Sequence, residues 1–149
     1  MFENFYFALG LVNSLWLIVI FLLVKFSTPA NVKVVGASYL LLGIPGINAI
    51  TSAQRLQKPV QYSIFLAIFL AFLVLEGVYD HILKIPFRES FRKYWKQWIP
   101  YLLLYWSMNY GFIVMAWKYS AMQGAILAGL FILQLAANIL SHKKNQSKT

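Results

Sequence analysis

The sequence lacks cysteine, and it holds only four acidic residues and two histidines. Without cysteine the chain can form no disulfide, thiolate metal site or thiol nucleophile, and its redox compartment leaves no mark. The histidines are His81, directly after Asp80, and His142, in the polar C-terminal tail. Asp80 and His81 sit ~100° apart on a helix, poor geometry for a shared metal or a relay. Paired axial histidines for haem are not expected, and the carboxylate–histidine pattern of di-iron proteins is missing. So are HExxH, a phosphate-binding glycine loop, a Gly-x-Ser-x-Gly elbow and an EF-hand loop. No metal or cofactor is expected.

Charge is scarce too: 11% of residues are charged and 60% hydrophobic, with a mean hydropathy of +0.66. An ordinary soluble domain of this size does not have that balance, so lipid must solvate much of the surface. The first 24 residues contain no Lys or Arg and carry Glu3. A secretory signal peptide begins with a basic segment, so this stretch is read as a true spanning helix.

A helical crossing needs roughly 20 mostly apolar residues. Five such stretches are present, at about residues 5–24, 34–54, 62–83, 98–117 and 120–140, with connections too short for a second domain. A barrel would show alternating segments of about 10 residues, whereas FYFALGLVNSLWLIVIFLLV is continuous. The expected fold is therefore an all-α membrane protein, a five-transmembrane-helix bundle over residues 1–140, with a mobile polar tail from 141 to 149.

The five-span arrangement sorts the basic residues. Lys25, Lys33, Lys84, Arg88, Arg92, Lys93, Lys96, Lys143, Lys144 and Lys148 fall on one side, and Arg55, Lys58 and Lys118 on the other. The positive-inside rule then puts the N-terminus outside and the C-terminus in the cytoplasm, in a cell inner membrane. The net charge of +9 follows from this topology. Nucleic acid is not an expected partner, because no soluble module carries a continuous basic face. The segment at about 85–97 is expected to lie along the inner interface, with Phe87, Phe91, Tyr94, Trp95 and Trp98 toward membrane lipids. Trp117 and Tyr119 would anchor the opposite interface.

Polar residues inside apolar spans need a partner or a purpose. Aligned by depth, Glu76 lies ~5 Å and Asp80 ~11 Å inward of the midplane, on one face of the third span. Asp80 can pair with Lys84 at i,i+4, while Glu76, costly to ionise at its depth, must be protonated, hydrogen-bonded inside the bundle or beside a water-filled cavity. Tyr101, Tyr105 and Asn109 recur every four residues on the fourth span. Gln134 and Asn138 match the two acids in depth on the fifth, and Asn13 lies near the midplane of the first. In GIPGIN, residues 43–48, Pro45 cannot donate to the Leu41 carbonyl, so a kink or break of the second span is expected near Pro45, with Asn48 just beyond. Gly124 with Ala128, and Ala125 with Gly129, are small-xxx-small pairs suited to close helix approach.

Two meanings compete for this polar layer. One is a ligand or proton site in the inner half; the other is interhelical hydrogen bonding that locks the bundle. A carboxylate among amides and phenols favours the site. The expected function is binding or translocation of a small lipophilic or cationic ligand, with Glu76 as anchor and Asp80, Tyr101, Tyr105, Asn109, Gln134, Asn138 and Asn48 around it. Five helices seldom enclose a transport path alone, so a homodimer is expected. The alternatives are a structural or assembly subunit of a membrane complex, and an intramembrane enzyme using Glu76 or Asp80 as acid or base on a lipid. In architecture, five helices rich in aromatics, the chain resembles the tryptophan-rich sensory and translocator proteins. No motif aligns with them, so no residue role is carried over.

Overall fold

The computed structural model describes residues 1–87 and 92–146, and side chains through residue 141. The chain is all-helical, and five of its helical stretches are long and apolar enough to cross a membrane.

Helix α1, Phe2–Phe26, has Glu3 in its first turn and Lys25 in its last, the signs that suit the helix dipole. It buries Tyr6, Leu9, Gly10, Asn13, Leu17, Ile20 and Phe21 along one stripe, the spacing of a single helical face. Thr28 caps α2, Pro29–Tyr39, by accepting from the Asn31 N–H, and Pro29 occupies the first turn, where its missing donor is harmless. A three-residue 3-10 turn at Leu40–Leu42 leads into α3, Gly43–Arg55. Together α2 and α3 form the second span, Pro29–Arg55. Gly43 N–H turns to the Leu40 and Leu41 carbonyls, and Gly46 lets α3 press against the next helix. A Cβ on Gly46 would lie 2.8 Å from Leu70 and 3.0 Å from the Phe69 ring.

Gln57, in the left-handed region at φ 48°, reverses the chain into α4, Val60–Gly77. The α-helix then widens into a π turn, Val78–Ile82, closed by Leu83 N–H donating to the Val78 carbonyl at 2.8 Å. Lys84, at φ 49°, leaves helical geometry. The fourth span is α5, Trp95–Tyr119, and after the single-residue hinge Ser120 the fifth is α6, Ala121–Gln146. Thus α6 runs past the apolar stretch into the polar tail, where Ser141–Gln146 contains no proline or glycine to stop it. Residues 147–149 lie outside the described residues.

The connection from α4 to α5 differs from the expected in-plane segment. Phe87 is fully buried instead of facing lipid, and its carbonyl accepts from Trp98 Nε1 at 2.7 Å. Its ring packs on Tyr79, Trp98 and Tyr101. Trp98 is likewise in the core, whereas Trp95 is exposed. Burying two large aromatics against Tyr101 outweighs leaving them at an interface. Arg88 and Phe91 lie outside the described residues.

Neighbours in sequence are neighbours in space: α1 packs on α2, α3 on α4, α4 on α5, and α5 on α6. The ring closes through α6 against α1. With five alternating spans the closing pair must be parallel. Accordingly Gln123 at the start of α6 donates to Asn4 at the start of α1, at 3.0 Å. Lys58, in the α3–α4 turn, reaches Glu3 at the same end at 2.6 Å. Both groups of that ion pair are partly exposed, so Lys58→Ala is expected to cost only about 0.2–1 kcal/mol in chemical denaturation.

Candidate functional site

Two aromatic layers divide the core. Toward the end that carries the N-terminus, Tyr6 meets Tyr62 and Phe112 at ring distances of 4.9 and 5.1 Å, and Phe69 meets Phe112 at 5.5 Å. Toward the other end, Phe72 is surrounded by three tyrosines: Tyr101 at 5.3 Å, Tyr105 at 6.0 Å and Tyr39 at 6.5 Å. One turn beyond Phe72 on α4 is Glu76, 6% exposed. Its Oε1 accepts from the Tyr101 hydroxyl at 3.0 Å.

A cavity of about 720 Å³ opens at this second end. Every span lines it: Phe21 and Val24 from α1, Lys33 and Gly36 from α2, Asp80 and His81 from the π turn that ends the third span, Trp98 and Tyr101 from α5, and Asn138 and Ser141 from α6. All five spans thus contribute to the wall of this cavity, the vestibule. Its size is that of a small-molecule site, ~300–1,000 Å³. The lining grades with depth, from exposed Lys33 and Lys84 to half-buried Asp80 and His81. At the wall shared by Val32, Gly36, Asp80 and His81, a narrow crevice continues to Glu76 and Tyr39.

The π turn makes this arrangement. Asp80 and His81, poorly matched on a regular α-helix, both line the vestibule and the crevice. Single π turns within α-helices recur at functional sites, because they re-aim side chains without ending the helix. The same turn, with Lys84 out of helical geometry, removes the regular i,i+4 spacing expected between Asp80 and Lys84. Both residues still line the vestibule.

The remaining polar residues of the layer assemble elsewhere. Tyr105 donates to Gln134 Oε1 at 3.0 Å, and Gln134 Nε2 donates to Asn109 Oδ1 at 3.2 Å. Asn109 Nδ2 returns to the Tyr105 carbonyl at 2.9 Å. These three form a closed, buried loop joining α5 to α6. Across the core Tyr39 donates to Asn13 Oδ1 at 2.6 Å, joining α2 to α1. Asn48 does not join either group; it is exposed, and its Oδ1 accepts from Ser52 at 3.5 Å. The Leu41 side chain is exposed as well.

Breaking the closed loop has a foreseeable cost. Gln134→Leu strands the Tyr105 hydroxyl and the Asn109 oxygen, and thermal melting in detergent should report a loss of about 1–3 kcal/mol. The double change Tyr105→Phe with Gln134→Leu should cost less than the two single changes summed, since it removes both members of one bond.

Sequence reasoning missed Tyr39, Gly36 and His81 as residues that share the crevice with Glu76, and Lys33 and Trp98 as lining of the vestibule. Lys33 and Gly36 lie one helical turn apart, a weak signal; Trp98 carried none that separates a core residue from an interfacial one. No family model, curated protein or solved structure matches the chain significantly, so its functional assignment rests on the geometry of this site.

Proposed function

We propose that the protein binds, and passes across the membrane, a small lipophilic or cationic ligand that enters the vestibule and is anchored by Asp80 and Glu76. The observation that carries this is a single cavity of about 720 Å³ walled by all five spans, with one acid in its wall and a second held by a tyrosine that also lines it. Apolar walls from Phe21, Val24, Val32 and Ile85 suit a lipophilic body, and the carboxylates suit a cation.

The basic side chains give the direction. Lys25, Lys33, Lys84, Arg92, Lys93 and Lys96 gather at the vestibule end, so this end faces the cytoplasm and the N-terminus lies outside. The outward faces of the bundle are apolar, and a second copy completes a homodimer within the membrane. The deciding experiment is binding of tetraphenylphosphonium, a lipophilic cation, to the protein in nanodiscs against empty nanodiscs. Saturable binding that Asp80→Asn weakens supports the assignment, and uptake no greater than that of empty nanodiscs overturns it.

A second role fits one specific observation. The Tyr105–Gln134–Asn109 loop is satisfied within itself and fully buried, as expected of a lock between helices. These three residues hold α5 and α6 in register, and the ligand site is confined to the vestibule side of Glu76.

A further inference from the structure

We infer that Glu76 exchanges its proton with the solution at the vestibule end through a relay of Asp80, His81 and one bound water. The inference rests on the assignment of Glu76 as the inner group of the ligand site. It adds the route by which that group is charged and discharged.

The route is drawn by the crevice. Its lining is Ile20, Val32, Gly36, Tyr39, Leu40, Glu76, Asp80 and His81, and four of these also belong to the vestibule. Its volume is about 10 Å³, at the lower edge of the ~10–15 Å³ that admits one water. A buried water needs two to four polar partners. Four residues of the crevice lining carry polar side chains: Glu76, Asp80, His81 and Tyr39, whose hydroxyl donates to Asn13 and can still accept.

Asp80 and His81 are half-buried and reach the open vestibule, while Glu76 is enclosed. A proton therefore arrives in two steps. A hydronium ion in the vestibule protonates Asp80 or His81; that group gives its proton to the bound water as the water gives one of its own to Glu76. The balance is one hydronium and one carboxylate consumed, one water and one carboxylic acid formed. The π turn is what places both donors on the crevice.

Among the described residues, tyrosine hydroxyls, one carboxylate and one imidazole face Glu76. From α2 comes Tyr39, from α5 Tyr101, and from the π turn after α4 Asp80 and His81. The polar groups that α1 and α6 bring to this level, Asn13 and Gln134, are neutral, and the buried residues of α3 are Gly46, Ala49 and Ala53. Lys33 and Lys84 stand at the vestibule mouth. On the other side of Phe72 the core is closed by Tyr6, Leu66, Phe69, Met108 and Phe112, each 3% exposed or less. Among the described residues, Glu76 is thus open toward the vestibule side alone.

Gly36 provides the test. It lines both vestibule and crevice, and a Cβ placed on it would meet nothing within 4 Å. Gly36→Leu therefore has room for its Cβ, extends its side chain toward the route to plug it, and improves helix propensity. The readout is time-resolved infrared spectroscopy of the protein in nanodiscs after an acid jump, with no ligand present. The Glu76 band is the protonated-carboxyl stretch that Glu76→Gln removes. The relay predicts that this band rises about 100-fold more slowly in Gly36→Leu and in Asp80→Asn with His81→Gln, and reaches its full amplitude. Wild-type rates in both variants, or a band indifferent to the pH jump, would overturn it. Because no ligand is present, a failed relay leaves tetraphenylphosphonium binding to be judged separately, and failed binding leaves the relay intact.

Discussion

Replacing Glu76 with Gln is expected to weaken tetraphenylphosphonium binding about 10- to 100-fold and to reduce its dependence on pH to the part that Asp80 carries. The size follows from the loss of one charge-assisted contact, about 1.5–3 kcal/mol, at roughly 1.4 kcal/mol per tenfold. The sign follows from the chemistry. A carboxylate attracts a cation and a carboxylic acid does not, so wild-type binding should weaken as the pH falls. The Gln variant should bind more weakly throughout and vary less with pH, since only the Asp80 carboxylate remains in the site. Equilibrium dialysis against nanodiscs across a pH series measures both. Stability should move the other way or stay level, because Gln still accepts from Tyr101, bonded to Glu76 at 3.0 Å, and carries no charge to desolvate. A variant that lost binding only by unfolding would show it as a lowered melting temperature.

The largest effect on stability is expected at Gly124. A Cβ there would lie 2.7 Å from the Trp117 Cα, across the tight turn at Ser120. Backbone at that distance cannot swing aside as a side chain does. Gly124→Val should therefore cost about 3 kcal/mol or more, the upper range for overpacking. Gly129, one small-residue step further along α6, meets nothing within 4 Å. There Val replaces Gly in open space on the outward face and should leave the melting temperature of the solubilised monomer unchanged. The pair separates a glycine used within the bundle from one that the bundle does not use. If the two substitutions melted alike, the packing of α5 on α6 described above would be wrong.

Much of the fold was legible because long apolar runs have few solutions. The five stretches at 5–24, 34–54, 62–83, 98–117 and 120–140 became helices Phe2–Phe26, Pro29–Arg55, Val60–Ile82, Trp95–Tyr119 and Ala121–Ser141, each extended by a residue or more at one end or both. Caps and prolines beyond the hydrophobic limit explain the extensions: Thr28 and Pro29 start α2 well before the apolar run begins. The polar layer was legible only as a depth. Depth alignment brought Glu76 level with Gln134, but rotation about each helix axis decides partnership, and the structure gives Glu76 to Tyr101 and Gln134 to Tyr105.

What the sequence hid was local geometry with no compositional mark. VYDHI reads as ordinary helix, yet it forms a π turn that brings Asp80 and His81 to one wall. Phe87 and Trp98 read as interfacial aromatics, since an amphipathic pattern does not say whether a ring turns toward lipid or toward a neighbouring tyrosine. Asn48 was assigned by its closeness to Pro45, and its exposure shows that the GIPGIN stretch turns this side chain outward.

The most direct test of a ligand site anchored by Glu76 is native mass spectrometry of the gently extracted protein beside its Glu76→Gln variant. A small-molecule adduct on the wild type, absent or much reduced on the variant, is the predicted result. No adduct on either, or the same adduct on both, would contradict it.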